Sequence, residues 1–121
     1  MRLTKLELEV MDYFWNLGEV SVREVHEAIP AKKRPAFTTV QTIVQRLEQK
    51  GALRRTRKVG NALLFETKVT RKSVYRRLID DFLELFGGSG EPIIAHLVET
   101  GRLDLQALAK AEKLAKGRRK S

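Results

Sequence analysis

The sequence predicts a mainly α fold with a small β wing, and three stretches carry that prediction. Phe37 to Leu53, FTTVQTIVQRLEQKGAL, puts Val40, Ile43, Val44 and Leu47 at helical spacing on one side. The basic run LRRTRK, a turn at Gly60 and Asn61 and the apolar run ALLFET then read as two strands of a hairpin. From Thr70 onward, three more segments of helical period are separated by GGSG and by Gly101.

Taken in order, Thr4 opens a first helix as a capping box with Glu7, with Leu3 and Leu8 at the staple positions. Leu6, Val10, Met11, Phe14, Trp15 and Leu17 carry its apolar stripe as far as Gly18, where the helix should end. Ser21 and Glu24 repeat the box, with Val20 and Val25 as staple, and Pro30 limits the second helix to Val22 through about Ile29. AKKRP is a turn. Its Lys32, Lys33 and Arg34 suit either a nucleic-acid backbone or plain solvation.

The third helix carries the information. Thr38, Thr39, Gln41, Thr42, Gln45 and Arg46 fill the arc left by its apolar side, and that arc holds no acid. Hydroxyls, amides and a guanidinium meet base edges and phosphates without repulsion, whereas an ordinary solvated face would mix in Glu and Asp. Gly51 supplies the stop. A helix with such a face, followed by a basic strand, a turn and an apolar strand, looks like the third helix and wing of a winged helix-turn-helix.

Beyond the wing, Thr70 caps a fourth helix, with Val69 and Val74 as staple. Val74, Leu78, Phe82 and Leu85 form one stripe, and Tyr75, Ile79, Leu83 and Phe86 form a second beside it. An arc this wide implies burial on more than one side, which in a small protein implies a second copy. Glu91-Pro92 opens a short helix bearing Ile93, Ile94, Leu97 and Val98, and Asp104 caps a last one with Leu105, Leu108, Ala111 and Leu114 or Ala115 inward. The expected organisation is a winged-helix DNA-binding domain over 1–69, a three-helix dimerisation region over 70–116 and a frayed basic tail over 117–121. The dimer interface is expected to use Leu78, Ile79, Phe82, Leu83 and Phe86 from the fourth helix, then Ile93, Ile94 and Leu97, then Leu105 and Leu108.

Charge points to the partner. The chain of 121 residues carries a net charge of +9, which favours a polyanion. Met1 to Ala31 has three basic and six acidic residues, whereas Lys32 to Lys58 has nine basic and one acidic, so the positive field gathers on the reading helix and wing. There is no cysteine, hence no disulfide framework or thiolate metal site, which suits a reducing compartment. No apolar run approaches the roughly 18 to 20 residues of a membrane span, and the first residues lack a signal peptide's apolar core. The expectation is a cytoplasmic protein without membrane insertion. His26 and His96 have no partner at metal spacing, and no phosphate loop, nucleophilic Cys or Ser-His-acid set is present, so neither a cofactor nor an enzyme is expected.

TVQTIVQRLEQKGAL, the wing RRTRKVGNALLF and the later FLELFGGS occur here in one order, and together they resemble the BlaI/MecI/CopY family of bacterial transcriptional repressors. The similarity runs from about Leu3 to Leu114. It implies an N-terminal winged helix on operator DNA, a C-terminal helical part that forms the homodimer, and a membrane sensor protease of the BlaR/MecR type as partner. The regulated genes would be those of a β-lactam-resistance or related stress operon, and the half-sites would be TACA and TGTA. The family's DNA-contacting positions fall on Thr38, Thr39, Thr42 and Arg46, with the wing at Arg55 to Asn61. Three departures stand out. Gly60-Asn61 and Phe65 replace the Gly-Arg and Tyr of many relatives, His96-Leu97 replaces the Asn-Phe bond cut in staphylococcal members, and the cysteine pairs of copper-responsive members are missing. Induction by that particular cut and thiolate copper sensing are therefore not expected.

The division of labour follows from residue type. Thr39, Gln41, Thr42 and Gln45 are expected on bases, and Thr38, Arg46, Lys50, Arg54, Arg55, Arg57 and Lys58 mostly on phosphates, with Asn61 at the wing turn. A dimer would set two such helices on a palindromic operator. The alternative is a winged helix whose basic face meets RNA or an acidic protein.

Overall fold

The computed structural model describes residues 1–119. Its elements in chain order are α1 (Lys5–Leu17), β1 (Val20–Ser21), α2 (Val22–Ala28), α3 (Phe37–Gln49), β2 (Leu53–Val59), β3 (Ala62–Thr67), α4 (Arg71–Glu84), α5 (Glu91–Glu99) and α6 (Leu105–Arg119). The two capping boxes form as their residue types require. In α1 the Glu7 N–H donates to Thr4 Oγ1 at 3.2 Å and the Thr4 N–H donates back to Glu7 Oε1 at 2.8 Å. In α2 the corresponding bonds join Ser21 and Glu24 at 3.2 and 3.1 Å. Gly18 takes φ 86°, which ends α1 as expected.

The sheet has one more strand than the hairpin pattern suggests. Val20 and Ser21 pair antiparallel with Phe65 and Leu64, giving the order β1-β3-β2. Ser21 thus ends a strand and caps a helix at once, and its cap signature hides the strand. The hairpin closes through Gly60 at φ 59° followed by Asn61, a turn led by a left-handed glycine that matches the twist of the flanking strands. Between Arg55 and Lys58 the register slips: Arg55 faces Phe65 but Lys58 faces Leu63, so β2 carries a bulge. A bulge sharpens the local twist and re-aims the side chains beyond it.

The core gathers Val10, Met11 and Phe14 of α1, Val25 of α2, Val40, Ile43, Val44 and Leu47 of α3, and Leu53 and Phe65 of the wing. Leu6 and Leu17, expected in the α1 stripe, are instead 41% and 46% exposed, so that stripe is narrower than the apolar count implies. Trp15 is half-buried, and its indole N–H donates to the Val69 carbonyl at 3.0 Å, holding the chain as it leaves β3.

Two compact units are present, Met1–Ile79 and a second beginning at Asp80, with the division inside α4. Contacts within the first unit hold the start of α4 to it. Val74 is buried, the Tyr75 ring meets Trp15 edge-on at 6.1 Å, and Arg71 donates to Asn16 Oδ1 at 2.8 Å beside Asp12. In the second unit Pro92 occupies the first turn of α5, and Asp104 Oδ1 caps α6 by accepting the Ala107 N–H at 2.8 Å. The helix α6 continues to Arg119, so residues 117–119 of the expected frayed tail are helical, and Lys120 and Ser121 lie outside the described residues.

Candidate nucleic-acid interface

The reading helix is held from beneath by its apolar side. Val40, Ile43, Val44 and Leu47 are all at most 3% exposed, while Thr38, Thr39, Gln41, Thr42, Gln45 and Arg46 are all exposed. Its first residue is also fixed: Phe37 meets the His26 ring edge-on at 5.5 Å and lies under the Arg23 guanidinium at 5.2 Å. His26 Nε2 lies 2.9 Å from the Pro35 carbonyl and so anchors the turn that leads into α3. Arg34 is spent locally. Its Nε and Nη2 donate to the carbonyls of Ile29 and Glu27, both at 3.0 Å, closing the open end of α2. Lys32 and Lys33 remain exposed.

Thr42 Oγ1 donates to the Thr38 carbonyl at 3.0 Å. With its proton committed, the hydroxyl offers a base only an acceptor, and the side chain adds a methyl group. Between α3 and the wing lies a groove of about 540 Å³. Gln41 and Gln45 from the helix and Arg55 and Asn61 from the wing share its wall with Arg23, over a floor that includes Val44, Leu63 and Phe65. Residues far apart in sequence thus converge on one groove. Arg23 has no place in the expected set, because as a single cation on a short helix it carries no pattern.

The wing cations divide by their partners. Arg54 pairs with Glu66, Arg55 Nε donates to Glu48 Oε2 at 2.7 Å, and Arg57 Nε donates to Glu19 Oε1 at 2.9 Å. All three guanidiniums are more than half exposed and their carboxylates about one-third exposed, so these are surface pairs of small net strength. Arg46 and Lys58 carry no ion pair among the described residues.

Lys50, expected on phosphate, is engaged within the protein. Its ammonium donates to Glu7 Oε1 at 2.6 Å and to the Arg2 carbonyl at 2.9 Å, joining the end of α3 to the start of α1. Glu7 is only 2% exposed. Burial pushes its carboxyl pKa up, but the Lys50 hydrogen bond and the Thr4 cap outweigh burial and hold it below the ordinary glutamate value.

Of the expected dimer residues, Leu78, Ile79, Phe82, Phe86, Ile94, Leu105 and Leu108 are exposed at 37% or more, and Leu83, Ile93 and Leu97 are half-buried. Among the described residues no helix is long and apolar enough to cross a membrane, and no cluster of three or more His, Asp or Glu side chains is placed to hold a metal.

Comparison with known proteins gives a consistent picture. The family model for the penicillinase repressor matches residues 3–116. The transcriptional regulator BlaI of Mycobacterium tuberculosis is 35% identical over 114 residues, spanning 91% of this chain and 82% of that protein. Among solved structures, the DNA-binding domain of the repressor BlaI is 27% identical with a TM-score of 0.52, over 58% of this chain and 84% of that one. The reduced form of MarR from E. coli shares the fold alone, at 15% identity and a TM-score of 0.55 over 95% of this chain and 76% of that one.

Proposed function

The chain belongs to the penicillinase repressor family and is a DNA-binding transcriptional repressor; from that premise we propose that it acts as a homodimer on a palindromic operator. The observation that carries this reading is the exposed, acid-free arc of α3 beside a groove that Arg55 and Asn61 share with Gln41 and Gln45. In this reading Thr39, Gln41, Thr42 and Gln45 face bases, and Thr38, Arg46 and Lys58 contact phosphates. Arg54, Arg55 and Arg57 join them by trading exposed carboxylates for phosphates. That exchange costs little, because a surface pair is worth about 0–1 kcal/mol. Lys50 is left out.

A lone winged helix places too few side chains on bases for the affinities of about 10⁻⁸ to 10⁻¹¹ M typical of specific binding. Two copies remove the shortfall, and the exposed apolar residues of α4 to α6 are suited to joining them. Twofold symmetry then requires inverted half-sites about one helical turn apart or a multiple of it. Repression follows from steric exclusion of RNA polymerase. An inducer need only weaken the dimer, and family membership suggests a membrane sensor protease of the BlaR/MecR type as its source. Selection of bound duplexes from a random pool by the full chain tests this reading. An enriched inverted repeat is expected, and enrichment of a single unrepeated site, or of none, would overturn it.

A further inference from the structure

We propose that Lys50 serves DNA reading as a positioning residue, acting through Glu7 on the orientation of α3, and makes no phosphate contact. The inference rests on the reading of α3 as the base-reading helix. Lys50 immediately follows α3, and its N–H donates to the Arg46 carbonyl at 2.9 Å, so its backbone moves with the helix. Its ammonium meets Glu7 Oε1 at 2.6 Å, and the same oxygen accepts the Thr4 N–H at 2.8 Å. One carboxylate oxygen thus ties together the cap of α1 and the last turn of the reading helix. The other, Oε2, is buried with no hydrogen-bond partner among the described residues, so the charge is compensated at Oε1 alone.

Burial of the partner separates Lys50 from the wing arginines. The carboxylates of Glu66, Glu48 and Glu19 are 29–32% exposed and rehydrate when their arginines leave for DNA. The Glu7 side chain is 3% exposed and cannot. A lysine moving to a phosphate would strand a buried anion, and the phosphate returns no more than the ion pair already supplies. With the far end of α3 pinned this way, Gln45 and Arg46 in the preceding turn keep the sub-ångström placement that base readout needs.

The test compares Glu7→Gln, Lys50→Met and the double variant with the wild type on the best duplex from the selection above and on a scrambled one, across salt concentrations. Glu7→Gln keeps an acceptor for the Thr4 N–H, so the cap survives while the charge is removed. Below their melting temperatures, all three variants should lose several-fold to about tenfold in preference for the selected duplex, with affinity for the scrambled one and the salt slope unchanged. The double variant should lose no more than either single one. If Lys50→Met flattens the slope by about one unit and weakens both duplexes alike while Glu7→Gln does nothing, Lys50 is a phosphate contact and the proposal fails. Should Lys50→Met not fold, Glu7→Gln and the double variant decide, and an unchanged preference in both overturns it. A wild type that selects no duplex refutes the base-reading account itself, a different failure from a wild type that selects one and a Glu7→Gln that selects it equally well.

Discussion

Lys50 and the three wing arginines carry the same charge, yet the hydration of their partners gives them different roles. Glu7 adds a pH dependence to that difference. Its folded-state pKa lies below the ordinary value, so its contribution to stability is fully present above the unfolded pKa and is lost as pH falls through the folded one. Urea midpoints from neutral pH down through about pH 5 and below should fall more steeply for the wild type than for Glu7→Gln; parallel profiles would deny Glu7 this part. Thr42 can be tested in the same way, one side chain at a time. Because its proton is held by the Thr38 carbonyl, Thr42→Ala removes an acceptor and a methyl, which should alter sequence preference by about 1–3 kcal/mol and leave random-duplex affinity in place. Equal losses on both duplexes, measured by equilibrium titration, would take Thr42 out of the readout set. At this scale the sequence was half legible. The Thr4–Glu7 box could be read at three-residue spacing, but the Lys50–Glu7 bond spans 43 residues and no periodicity announces it.

Elements were more legible than side-chain pairings, because caps and punctuation are local. Thr4, Ser21, Thr70 and Asp104 each mark the start of a helix that forms where they stand, and Gly60-Asn61 marks the hairpin turn. The strand β1 escaped because two residues establish no alternation. The bulge in β2 escaped because LRRTRKV has basic residues at Arg54, Arg55, Arg57 and Lys58 and no clear alternation that would mark a change of face. The wing acts as an element through its summed charge. Replacing Arg55 and Arg57 together by Ala should weaken binding to all duplexes alike and flatten the salt slope by about one unit for each phosphate that is no longer neutralised. An unchanged slope would mean that these guanidiniums stay with Glu48 and Glu19 when DNA binds.

For the molecule as a whole, the mainly α class and the winged helix could be read from hydrophobic period and turn residues, and so could the concentration of positive charge between Lys32 and Lys58. That the start of α4 belongs to the first compact unit rests on Tyr75 meeting Trp15 and Arg71 meeting Asn16, residues far apart in the chain. Apolar residues left exposed, such as Phe82 at 47% with its ring 5.1 Å from that of Phe86, support the proposed dimer. Phe82→Glu should therefore shift the sedimenting species from two chains to one and weaken the selected duplex far more than the scrambled one. A variant that stays dimeric would remove Phe82 from the interface.

Operator binding of this kind requires two reading helices coupled at a separation set by the DNA helix. Inserting about five base pairs between the selected half-sites turns one to the opposite face of the duplex, whereas inserting about ten restores its face. Affinity measured on the three duplexes should collapse toward that of a single half-site with the first insertion and recover in part with the second. Equal affinity on all three would contradict the coupling.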